Sequence, residues 1–249
     1  MNEENLDHQK VEQEFFDLIE ELKRNDLTVS QQDENVKNGT EQAPRLSIAE
    51  KIASFFSSAF SPLIIPTYAV AIALNISLIG SISPLYTRIL VTLVILAITC
   101  MIPSIAIAIL FKLGKISDPG VNERQDRIVP YIVAVMSYVA AAIYLSNIKA
   151  PIWIPMFMIG GGIAVIASAL INLKWKISAH GAGMGGLTAL IFSMWINGYV
   201  TFDLIYLTSL VILLTGVVGT SRLILKRHTL AQVLAGTLNG FFWVFILTI

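Results

Sequence analysis

Residues 87–111 read TRILVTLVILAITCMIPSIAIAILF, and this stretch decides the fold class. It holds 25 residues with a single charge, Arg88, at its edge. A helix needs about 20 apolar residues to cross a hydrocarbon core of about 30 Å, so this run is long enough to span a bilayer. It lacks the alternation over about ten residues that marks a strand of an outer-membrane barrel.

Similar runs recur along the chain. Of its 249 residues, 55% are hydrophobic and only 14% are charged, against about 25% charged in an ordinary soluble domain. The expected architecture is therefore all-α: a polytopic transmembrane bundle of about seven helices near 52–80, 87–111, 128–147, 152–173, 181–197, 204–221 and 231–249. Pro62, Pro66 and Pro103 fall inside the first two, where they are tolerated but kink the helix.

Residues 1–45 are different material. Thirteen of the 17 acidic residues and six of the 17 basic ones lie in residues 1–51, so that segment carries a net charge near −7 and the remainder near +7. Val11, Phe15, Leu18, Ile19 and Leu22 recur at helical spacing, which predicts a short amphipathic helix. Its other face is acidic, which argues against docking on an anionic membrane surface. Residues 26–44 read as a disordered linker. The expected domains are this polar tail and a membrane domain over 46–249. No signal peptide opens the chain. The lone Cys100 sits in an apolar run, where it packs as a small hydrophobe.

Three connections concentrate the polar chemistry: 112–127 (KLGKISDPGVNERQDR), 174–180 (KWKISAH) and 222–230 (RLILKRHTL). They follow the second, fourth and sixth expected helices, so parity puts all three on the side of the tail. The opposite loops, 81–86, 148–151 and 198–203, are short and nearly chargeless. His180 and His228 both fall in the polar connections, with Arg222 and Arg127 alongside. Ionisable groups gathered at one membrane boundary point to a site that handles an anion. A phosphate ester needs fixed positive donors for its oxygens, a nucleophile, and an acid for the departing alkoxide. Two histidines and two arginines can supply these without a metal.

These residues carry a resemblance. Ser221-Arg222, five residues, His228, three residues, Gln232-Val233, two residues and Gly236 resemble the third signature of the type-2 phosphatidic acid phosphatase family, SR-x5-H-x3-DV-x2-G. Ile177-Ser178-Ala179-His180 is similar to the second, PSGH, at its Ser and His. Asp126-Arg127 through Pro130 resembles the first, K-x6-RP, loosely. The resemblance spans residues 112–240 and implies a metal-independent lipid phosphatase or phosphotransferase with no cofactor and no nucleic-acid partner. It makes His228 the nucleophile that forms a phosphohistidine and His180 the acid for the leaving group. Arg222, Arg127, Ser178 and neighbouring backbone N–H groups would hold the phosphoryl oxygens. Its substrates would be lipid phosphates or diphosphates drawn from the bilayer.

The chain departs from the pattern in three places. Gln232 stands where the family has Asp; one helical turn from His228 it can still accept from the imidazole, but without charge. That substitution predicts lower activity or a retuned pH optimum. Gly120 stands where the first signature has Lys, so Lys115, Lys112 or Arg124 must supply that charge. Pro130 comes two places late. A catalytically impaired protein of the same fold that binds phosphorylated lipids is the alternative. Asp118, Asn122 and Asp126, spaced by four, raise an aspartate-rich prenyltransferase as a further one, but no second acidic cluster supports it. No interrupted helix pair with buried charges supports a transporter.

Charge also sets an expected orientation. Ten basic residues flank the membrane on the tail side, against Arg88 and Lys149 on the other. The positive-inside rule then places the tail and the site in the cytoplasm of a bacterial inner membrane, with a periplasmic site as the alternative.

Overall fold

A computed structural model describes residues 20–21, 23–24, 47–118, 125–200 and 202–249. The chain divides into two units at Leu46/Ser47. Of the first, Glu20, Glu21, Lys23 and Arg24 are helical, and Arg24 pairs with Glu20 at 3.5 Å. The apolar stripe expected from Val11 to Leu22, the linker over 26–44 and His8 lie outside the described residues.

The second unit is helical throughout its described residues. Its helices are α1 (Ile48–Ala59), α2 (Ile65–Ile76), α3 (Leu78–Ile82), α4 (Leu85–Leu96), α5 (Ile102–Lys112), α6 (Ile128–Asn147), α7 (Trp153–Asn172), α8 (Ala179–Ile196), α9 (Ile205–Ile224) and α10 (Leu230–Thr248). Among the described residues five spans are long and apolar enough to cross a membrane: Leu85–Lys112, Ile128–Asn147, Trp153–Asn172, Ile205–Ile224 and Leu230–Thr248. The side chains they leave uncovered are also apolar, among them Leu93, Ile105, Met136, Leu213 and Leu238. A surface this apolar suits lipid rather than water, so the chain is an integral membrane protein.

The prolines shape the first half. The single helix expected over 52–80 is instead α1, α2 and α3. Pro62 has no N–H to continue α1, and the chain turns through Ser61 N–H to Ser58 O (3.2 Å) and Ile64 N–H to Ser61 O (3.0 Å) before α2 starts. A second break falls at Ser77; beyond it Leu78 N–H donates to Tyr199 O in the connection between α8 and α9 (3.0 Å). In the span Leu85–Lys112 a π-helical turn, Ala97–Met101, joins α4 to α5 immediately before Pro103. The wider turn absorbs the residue that the proline prevents from pairing normally.

The centre of the bundle is α8, wrapped by α2, α7, α9 and α10, with Met184, Leu187, Leu190, Ile191 and Met194 fully buried. Between α8 and α10 backbone meets backbone. Gly181 and Gly185 on one helix face Gly236 and Gly240 on the other. A Cβ at Gly185 would fall on Thr237 O, one at Gly236 on Ser178 O, and one at Gly240 on Ala182 O. A Cβ at Gly181 would lie 2.7 Å from Val233 O. Small residues four apart let helices approach this closely in a membrane. The approach brings the amino-terminal turns of α8 and α10 together, and these turns carry His180 and Gln232.

Candidate active site

Four segments deliver the basic side chains to one place. A 3₁₀ turn, Gln125–Arg127, ends the long connection and carries Arg127 to the start of α6. Asp126 Oδ2 accepts from Ser117 N–H at 2.7 Å and from Ser117 Oγ at 2.6 Å, tying the two ends of that connection together. Those bonds hold the Asp126 carboxyl below its ordinary range. Arg127 is 7% exposed, and its Nη1 donates to Ile177 O at 2.9 Å. It thereby docks on the segment just before α8.

Ser178 caps α8. Its Oγ accepts from Gly181 N–H at 3.1 Å, and its own N–H donates to Gln232 O at 3.2 Å. Ser178 is fully buried, with its hydroxyl committed to this cap. A helix amino-terminus presents backbone N–H groups and the positive end of its dipole. His180 follows in the first turn of α8. Its Nε2 lies 3.0 Å from Ser57 O and 3.4 Å from Ser57 Oγ, at the end of α1.

Arg222 comes from the last turn of α9. It is 8% exposed, and its Nη1 donates to Ser57 Oγ at 2.7 Å. Its Nε is buried without a partner, and among the described residues no carboxylate pairs with it. A buried guanidinium lacking a counter-charge is costly. A bound anion would supply that charge.

His228, also 8% exposed, lies between α9 and α10. Its Nδ1 is 3.1 Å from Gln232 Oε1. The same Oε1 accepts from Thr229 N–H at 3.2 Å, while Gln232 N–H donates to Thr229 Oγ1 at 3.4 Å. This reciprocal pair is a capping box at the start of α10. Burial pushes the His228 imidazole down to about 4; the positive charges of Arg127, Arg222 and Lys176 act in the same direction, and the bond to Gln232 opposes them. The charges of Arg222, His228 and Arg127 also reach His180.

Arg127, Ser178, His180, Arg222, His228 and Gln232 are thus joined by hydrogen bonds and mutual fields. Lys115 sits in the exposed turn after α5, and among the described residues its side chain makes no hydrogen bond or ion pair. The lysine whose charge acts on His228 is Lys176, half-buried two residues before Ser178. Arg124 and Asn122 lie outside the described residues. Asp126 is engaged by Ser117, and the described residues hold no group of three side chains that could bind a metal ion. Ser57 escapes a reading of the sequence, because it lies 55 residues before the resemblance begins at residue 112 and its neighbours, FFSSAF, spell no motif.

Comparison of the chain with known protein families, with curated proteins and with solved structures finds no match.

Proposed function

We propose that this protein is a membrane lipid phosphatase or phosphotransferase of the type-2 phosphatidic acid phosphatase kind, working through a phosphohistidine without a metal. The observation that carries the proposal is the meeting of two imidazoles with two buried arginines, one of which, Arg222, has no acidic partner among the described residues. Such a set of donors suits a dianionic group about the size of a phosphoryl.

The chemistry follows from the atoms. Nε2 of His228 attacks phosphorus, and the bond from phosphorus to the lipid oxygen breaks. The departing alkoxide takes a proton from the His180 imidazolium, leaving lipid alcohol and phosphohistidine. Neutral His180 then takes a proton from water as its oxygen attacks phosphorus. The P–N bond breaks, and orthophosphate leaves. Arg127 and Arg222 offset the charge that accumulates on the equatorial oxygens. With an alcohol in place of water, the second step is phosphoryl transfer.

A lipid substrate fits the surroundings. An apolar groove of about 690 Å³ runs between α1 and α9, lined by Ile52, Phe56, Leu213 and Gly216 and by Ser221, the residue before Arg222. A hydrocarbon chain lying there would leave its phosphate beside the arginines.

The proposed count is seven crossings. The broken α1–α2 segment and the glycine-rich α8 add to the five long apolar spans. The positive-inside bias then puts the tail and site in the cytoplasm of a bacterial inner membrane, and Ile249 outside.

The test is phosphate release from a panel of lipid phosphates in detergent, by wild type and by His228→Ala. Release by wild type and loss in the variant support the proposal. Equal release by both ends the nucleophile assignment. Gln232 in place of a carboxylate favours a second reading, a protein that binds phosphorylated lipids without turning them over. Tight lipid phosphate binding with no release from any substrate would establish that reading instead.

A further inference from the structure

Ser57 touches two of the four basic side chains of the site from an element that no motif points to. Hydroxyls in these apolar helices ordinarily turn back to the carbonyl four residues earlier, as Thr99, Thr188, Thr215 and Ser221 do. Ser57 instead meets Arg222 Nη1 at 2.7 Å through its Oγ and His180 Nε2 at 3.0 Å through its carbonyl oxygen. It is buried.

The break at Pro62 explains why that carbonyl is free. In a continued α1, Ser57 O would accept from Ser61 N–H. Here Ser61 N–H donates to Ser58 O, so Ser57 O is one of the orphan carbonyls that every helix end leaves. His180 Nε2 satisfies it. Because a carbonyl can only accept, the ring nitrogen facing it must carry a proton.

We propose that Ser57 is the positioning residue of this phosphate site. Its carbonyl keeps the proton of His180 on Nε2, which leaves Nδ1 as the ring atom that exchanges a proton with the substrate. Its hydroxyl ties one nitrogen of Arg222, which leaves Nε, buried and without a partner, and Nη2 for the phosphoryl oxygens. The inference rests on the phosphatase reading and adds to it that α1, outside the family signatures, completes the site.

The test uses the full-length protein in detergent, with phosphatidate hydrolysis and inhibition by orthovanadate as readouts. Ser57→Ala is expected to lower kcat/KM and weaken orthovanadate inhibition by about tenfold, the scale of one lost hydrogen bond to a charged group. Ser57→Thr restores most of the loss. In an Arg222→Ala background Ser57→Ala costs nothing more, because its partner is gone. Additive losses in that double variant would assign Ser57 a merely structural role and overturn the inference. Full activity in Ser57→Ala beside an active wild type would overturn it too, leaving the phosphatase reading intact. An inactive, non-binding wild type would remove that reading, and this inference with it. A measurement needing no variant is ¹⁵N NMR of the neutral histidines: His180 is expected with its proton on Nε2, and a proton on Nδ1 overturns the proposal.

Discussion

Gln232 fixes the proton of His228. The amide oxygen of Gln232 must be the atom facing Thr229 N–H, since a donor cannot face the amide nitrogen. That same oxygen stands 3.1 Å from His228 Nδ1, so Nδ1 donates and Nε2 keeps its lone pair. The helix cap of α10 thus sets the tautomer of the neighbouring imidazole, the task that a carboxylate performs in the Ser-His-Asp arrangement. A glutamine performs it without adding charge.

Replacing that oxygen should therefore hurt catalysis more than folding. Gln232→Leu is expected to reduce kcat/KM by about 10² or more, within the roughly 10⁴ that a wrong tautomer costs a serine protease. Gln232→Glu keeps the acceptor and adds a negative charge, which favours the imidazolium. It should move the acidic limb of the pH profile upward. Steady-state kinetics on the two variants and wild type decide this; equal profiles for all three would contradict it.

The wild-type profile has its own expectation. The proposed reaction requires the free protein to hold His228 neutral so that it can attack. Burial and three cations hold its imidazole at about 4 rather than the ordinary 6.5. The acidic limb of kcat/KM, which reports the free enzyme, should then fall near pH 4, with activity retained at pH 5.5. The sign for stability follows: between pH 6.5 and about 4 the unfolded chain binds a proton that the folded chain refuses. Stability should fall as pH drops through that window and level off below it. His228→Asn should flatten that part of the curve. An acidic limb at pH 6.5 would show that His228 lies open to water.

The α8–α10 contact gives a prediction independent of catalysis. Gly185→Ala and Gly240→Ala each place a methyl on a backbone carbonyl of the facing helix, Thr237 and Ala182 respectively. Neither backbone can yield as a flexible side chain would. Each variant should lose about 1–3 kcal/mol, the usual scale of overpacking. Gly216→Ala is the control, since a Cβ there meets nothing within 4 Å; it should be neutral or slightly stabilising, because alanine favours helix. Thermal melts in one detergent compare the three. A loss in Gly216→Ala equal to that in Gly185→Ala would refute the close-approach argument.

Orientation can be read without activity. With the seven crossings proposed above and the positive-inside bias, a reporter fused after Ile249 should lie outside the cytoplasm, and one placed in the loop 112–127 inside. The reverse pattern would put the site on the periplasmic face.

Most of the helix pattern is legible because hydrophobic length is a strong signal. Ile128–Asn147 matches the expected span at both ends, and the later helices differ by one to three residues. The first span is the exception. Hydropathy runs straight through Phe60–Ile64, and only the missing N–H of Pro62 shows that the ladder cannot. Local patterns could have sharpened other ends: Ser47-x-x-Glu50 and Thr229-x-x-Gln232 are both capping boxes. The four basic side chains of the site are legible because their chemistry is rare in an apolar chain. Ser57 is not, because a serine in a membrane helix is common and its role depends on which helix lies opposite. Nor is the choice among lysines: Lys115 and Lys176 differ in placement, not in sequence context.

The most direct measurement is a rapid quench in base of the protein mixed with ³²P-labelled phosphatidate, followed by peptide mapping. The account predicts an acid-labile, base-stable label on His228, absent in His228→Ala. Turnover by wild type with no label on His228, or with the label on His180, would contradict it.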